Sequence, residues 1–243
     1  MPVQREKELP LKVRIHDNLT EIRLLVKNSS RSHNFKLWID SPSSAILLKP
    51  TRASLKDALQ FVDENKDWLS KNLEQAKPNI TLAEYLKAKP KLSLQDKTIS
   101  VWLKPSELVE TYILTDSELV VIYNQNDKES LLRVFVDFAK TEILKIAKKV
   151  SAETGIEFKN LTVRNQNTRW ASRSSTGTLS FNWRMILLGS HLQDYIVRHE
   201  FAHSKFMDHS TAFWIFLNRI CPSAKRLDAE LTKTGSEIFK IAR

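Results

Sequence analysis

Three of the six histidines of this chain fall close together, in the run His199-Glu200-Phe201-Ala202-His203 followed by His209. Neither Pro nor Gly interrupts residues 193–206, so that stretch is predicted helical. Residues four apart on a helix are neighbours, which lets His199 and His203 direct two imidazole nitrogens onto one Zn2+ at about 2.0 to 2.1 Å. Glu200, one residue further round, points beside the metal, where its carboxylate can take a proton from a metal-activated water. A hydrolytic zinc site needs a third protein ligand and one position left open to water. His209 is the first candidate, because six residues allow the helix to end near Met207 and the chain to turn back. Asp208, His209 and Ser210 precede the apolar run 213–217 and read as the cap of a next helix, which would fix His209. Asp228 and Glu230 are the alternatives, since other zinc hydrolases use two histidines and a glutamate. His191 reads as a capping or solvent residue. His16 and His33 sit in N-terminal strands with nothing tying them to a metal.

The elements that must position these residues can be read from periodicity. Before the histidine helix come two extended segments, near 160–164 and 178–184, with the polar run 165–177 between them. Before those, Leu132, Val136, Ala139, Ile143, Ile146, Ala147 and Val150 recur at three and four, giving a long amphipathic helix over 129–154 that Gly155 closes. The N-terminal part alternates instead, as in Ile22, Leu24 and Val26, with turn-forming runs at 28–32 and 40–44. This predicts a meander or a pair of hairpins. A helix follows over 55–73, Pro78 ends the unit as the best linker candidate, and a short helix runs over 82–87 before Pro90. Strands at 98–103, 109–114 and 119–123 are expected to extend the first sheet. The predicted class is α+β, with a strand-rich region over 1–125 and a second domain over 126–243.

Composition narrows the function classes. With 243 residues, 42% hydrophobic and 27% charged, and only 4 Gly and 8 Pro, the chain is a folded protein and not a disordered or collagenous one. No apolar run approaches the roughly 20 residues that cross a bilayer, so no membrane span is expected. The first 20 residues hold no signal-like apolar stretch, and Cys221 has no internal bridging partner, so cytoplasm is the default location. The net charge of +10 favours anionic partners, and residues 131–190 hold ten Lys or Arg against four Asp or Glu. Lys145, Lys148, Lys149, Lys159, Arg164, Arg169 and Arg173 could meet nucleic-acid phosphates, in which case binding would weaken steeply with salt.

The stretch 162–214 carries several further signatures. They are Arg-x-x-x-x-Arg-Trp-x-Ser at 164–172, Leu-Ser-Phe-Asn-Trp-Arg at 179–184, the Asp194-Tyr195 pair, the His-Glu-x-x-His helix, and His-Ser-x-x-Phe-Trp at 209–214. Together they resemble YgjP-type metallopeptidase domains, relatives of the SprT-like and WLM zincins. The strand-rich N-terminal segment and the helix ending in Asp67-Trp68-Leu69 look similar too. The resemblance implies a zincin-like zinc peptidase acting on protein or peptide substrates, with His199, His203 and His209 as ligands and Glu200 as catalytic base. Three positions depart from the family pattern: Ala171 and Arg173 stand where Gly and Cys are usual, and Arg198 where an apolar residue precedes the first ligand. These departures bear on substrate preference more than on metal binding. Trp170 and Trp183 read as core residues, while Asn167 and Arg169 are expected at the cleft. Strand 179–184 is the expected edge along which a peptide would lie. Two rival readings are a DNA-associated protease, as SprT-like relatives act on proteins attached to DNA, and a non-catalytic module whose structural zinc has four protein ligands.

Overall fold

The computed structural model describes residues 7–16, 18–75, 80–95 and 97–242. Pro78 lies outside them. The chain divides into two compact units, residues 1–79 and 80–243.

In the first unit, β1 (Lys7–Ile15), β2 (Asn18–Ser29), β3 (Lys36–Ser41) and β4 (Ser44–Pro50) form one sheet in the order β1-β2-β4-β3. Two antiparallel hairpins meet along a parallel β2–β4 seam, so of the expected meander or hairpin pair the hairpins form. The alternation puts Ile22, Leu24, Val26, Ala45 and Leu47 in a core with Ala58, Val62, Leu69 and Leu73 of the helices that follow. Those helices are α1 (Leu55–Glu64) and α2 (Lys66–Glu74). Ser54 and Asp57 start α1 with a reciprocal capping box. The single helix expected over 55–73 is thus broken at Asn65, whose side-chain amide donates to the Phe61 carbonyl at 2.8 Å and competes with the helical ladder.

The second unit begins with α3 (Leu82–Ala88), then β5 (Lys91–Leu94), β6 (Lys97–Ser106), β7 (Thr111–Leu114) and β8 (Glu118–Asn124). These strands do not extend the first sheet. They form their own, in the order β5-β6-β8-β7, and the unit boundary falls at 79/80 and not at 125/126. The reason is burial: Ile99, Val101, Leu119 and Val121 share one core with Phe135, Phe138 and Ile143 of α4 (Ser130–Thr154). Alternation identifies a strand's apolar face but not the helix that covers it. Gly155, at φ 68°, ends α4 in the left-handed region, as expected of a C-terminal glycine.

Beyond α4 a small sheet carries the chemistry. Strands β9 (Asn160–Arg164), β10 (Ala171–Arg173) and β11 (Thr178–Asn182) pair in the order β10-β11-β9. A 3-10 turn (Trp183–Leu187) follows, so the extended segment expected to reach residue 184 stops at Asn182. Then come α5 (Ser190–Ala202), α6 (Thr211–Ile220) and α7 (Ala224–Ile238). The loop entering β10 is fastened by the polar residues of the 179–184 run. The Asn182 amide donates to Gln166 O (2.6 Å) and Arg169 O (3.2 Å). The fully buried Arg184 guanidinium donates to Asn165 Oδ1 and to the carbonyls of Ile241 and Ala242. A charge this deep is tolerated because several acceptors surround it. Among the described residues, no helix is long and apolar enough to cross a membrane.

Candidate metal centre

Helix α5 buries Tyr195, Ile196, Val197, Glu200, Phe201 and Ala202 and leaves His199 half-buried in its last turn. His199 and Glu200 lie in that turn, and His203 caps it. The helix therefore ends four residues short of the expected 206. The chain winds on through tight backbone bonds from Ser204 to Phe201 O and from Lys205 and Phe206 to Ala202 O. This turn makes room for the return to His209. Asp208 accepts the Ser210 backbone N–H, and Ser210 then leads into α6. The first core residue of α6, Phe213, is fully buried, and its ring lies 5.0, 4.7 and 4.8 Å from those of His199, His203 and His209. It forms a common floor under the three imidazoles.

One ring nitrogen from each histidine lies within 4.8 Å of the others, and His199 Nε2 and His209 Nε2 are 3.0 Å apart. Tetrahedral ligands on zinc stand about 3.3 Å apart, given bonds of about 2.0 to 2.1 Å. The tautomers suit such a role. His203 Nδ1 donates to the Phe206 carbonyl at 2.8 Å, leaving its Nε2 lone pair free for a cation. His199 Nδ1 faces the Tyr195 hydroxyl at 3.3 Å. Burial, reinforced by the neighbouring His203 and His209, pushes His199 down to about 3, and burial lowers His203 as well. Both rings are thus held neutral, the form that binds metal ions. The residues present fit a divalent cation.

Glu200, the residue after His199, is buried, and its Oε2 has no hydrogen-bond partner among the described residues. A native buried carboxylate oxygen left this way needs a water or a ligand to explain it. Burial pushes Glu200 up to about 7, while the charges of Arg173 and Arg169 and the Arg173 backbone N–H oppose the rise. That N–H lies on the side of β10 that does not pair within the sheet. Trp170 O and Ser174 N bond to β11, so alternation turns the backbone groups of Ala171 and Arg173 away from β11, toward Glu200. Strand 179–184 is consequently not the edge: β11 is central, and β10, unrecognised within the polar run 165–177, is the edge beside the site.

The remaining candidates have other partners. Asp228 accepts the Tyr195 hydroxyl at 2.9 Å, and Glu230 pairs with His191 at 2.7 Å, so neither joins the histidine cluster. His16 and His33 lie in turns of the first unit. Arg198 pairs with Asp194 at 2.5 Å and with Glu153, and donates to Ile220 O at 2.9 Å, joining α5 to the ends of α4 and α6. Trp183 is fully buried, and Trp170 packs on Phe239 with ring centres 4.3 Å apart. Arg169 is exposed, its charge acting on Glu200, and Asn167 is exposed in the same loop. Sequence reasoning assigned no site role to Tyr195 or Phe213. Their spacing, one turn before His199 and four residues after His209, was the available signal.

No curated protein matches the chain. Among solved structures, the crystal structure of the metallopeptidase zymogen of Pyrococcus abyssi abylysin is similar at 24% identity with a TM-score of 0.34, over 38% of this chain and 95% of that one. The family model described as YgjP-like, metallopeptidase domain matches residues 33–234, which is most of the chain. With that match, this α+β chain belongs to the YgjP-like metallopeptidase family.

Proposed function

We propose that the chain is a zinc-dependent peptidase with a zincin-like active site, in which His199, His203 and His209 hold the metal and Glu200 is the general base. One observation carries the reading: three imidazole nitrogens lie within 4.8 Å of one another, and Glu200, the residue after His199, is buried with an unpartnered carboxylate oxygen. Bound zinc would supply Lewis-acid polarisation of the scissile carbonyl and an acidified water. The protein supplies the rest. Glu200, raised to about 7, is matched to accept a proton near neutrality and return it to the leaving amine. With the Arg173 N–H engaged by Glu200, the outward N–H and carbonyl of Ala171 and the carbonyl of Arg173 can hold an extended peptide by main-chain hydrogen bonds, without demanding a sequence. Phe213 keeps the imidazoles in place from below.

A structural zinc site would close with four protein ligands. Only three groups come together among the described residues, and the single thiol, Cys221, is buried at the end of α6 and outside the cluster. This favours a site with room for water. The test is metal analysis of the purified protein beside Glu200→Gln. One zinc per chain in both, with proteolysis lost in the variant by at least about 100-fold, is expected. Full proteolysis by Glu200→Gln would overturn the assignment of the base.

A further inference from the structure

We propose that Asp228 and Tyr195 form a carboxylate-backed support for His199, which makes both of them positioning residues of the metal centre. The inference rests on the zinc reading above. Tyr195 stands one helical turn before His199 on α5 and is 1% exposed, so its hydroxyl must find its partners inside the protein. It has two, Asp228 Oδ1 at 2.9 Å and His199 Nδ1 at 3.3 Å. An ionised carboxylate can only accept, so the phenolic proton points to Asp228. The phenolic oxygen is then left to accept, and the group facing it must donate: His199 carries its proton on Nδ1. That leaves the lone pair on Nε2, the nitrogen 3.0 Å from His209 Nε2.

The support treats the three imidazoles unequally. His203 is oriented by a neutral backbone carbonyl, that of Phe206. Among the described residues, the exposed His209 makes ring contacts and approaches His199, with no orienting hydrogen bond to a carbonyl or carboxylate. For His199 the orienting group ends in a negative charge, which fixes the ring and strengthens its Nε2 as a donor to a cation. Asp228 belongs to α7 and Tyr195 to α5, so the chain of bonds also ties the packing of α7 to the geometry of the centre. Asp228 thereby acts from behind a ligand and not as one.

Zinc affinity, measured by competition with a chromophoric chelator, tests this in wild type, Tyr195→Phe, Asp228→Asn and the double variant, together with the melting temperature of each metal-free protein. Each single change is expected to weaken zinc about 10-fold or more. The double is expected to be no weaker than the worse single by more than about twofold, because both act through one hydrogen-bonded path. Asp228→Asn keeps the shape and removes the charge, so it decides the matter should Tyr195→Phe lower the metal-free melting temperature. Unchanged zinc affinity in both singles, or fully additive losses in the double, would overturn the support while leaving the metal centre intact. Failure of the wild type to bind zinc would instead overturn the zinc reading itself.

Discussion

At the scale of single residues, the burial that readies His199 for a metal has a measurable cost in acid. Its folded pKa of about 3 lies below the ordinary 6.5, so the folded state favours the neutral ring. The resulting stability is fully present above about pH 6.5 and is lost as pH falls toward 3. The metal-free protein is therefore expected to melt at progressively lower temperature across that window, and His199→Gln to show a shallower decline. Equal slopes in the two proteins would contradict the burial argument. That His199, His203 and His209 come together was legible in the sequence, because helical spacing brings the first two onto one face and one further turn returns the third. Tyr195, Phe213 and Asp228 were not legible in their roles. Tyr195 stands at helical spacing from His199, but its partner Asp228, and the reach of Phe213 to His199 and His203, come from α6 and α7 packing near α5, which no local period encodes.

At the scale of elements, the site depends on how α5 is held. Arg198, an unexpected charge just before the first histidine, is only 14% exposed in its side chain and joins Asp194, Glu153 and Ile220 O. Glu153 is partly solvated, so the ion pairs are screened and the carbonyl bond carries much of the effect. Arg198→Met is expected to cost about 1 to 2 kcal/mol, less in high salt, with one zinc per chain retained. Denaturant melts at two salt concentrations measure this, and an unchanged midpoint at low salt would show the clamp to be idle. Long helices and alternating strands were readable here, as α4 and β6 attest. Strand β10 was not, because three residues in a polar run have no period of their own. Its position comes from pairing with β11 and from the loop that Asn182 and Arg184 pin. The early end of α5 likewise comes from its terminal turn and not from a breaker residue.

At the scale of the whole molecule, both units use one sheet plan, two hairpins joined by a parallel central pair with helices following. A sequence read for strands alone runs the two sheets together, which is why the boundary was expected 46 residues too late. Of the basic residues in 131–190, Lys145 is paired with Glu142, and Arg173 is turned onto Glu157 O and the Phe201 ring. Lys148, Lys149, Lys159, Arg164 and Arg169 remain exposed. The family membership, the histidine cluster and the open edge of β10 all bear on one claim, that a single zinc is held by three imidazoles with a place left for solvent. Zinc-edge X-ray absorption of the loaded protein tests it most directly. Three imidazole nitrogens and one further light, non-imidazole ligand at about 2.0 Å is the expected result, whereas a sulfur ligand or a fourth imidazole would contradict it.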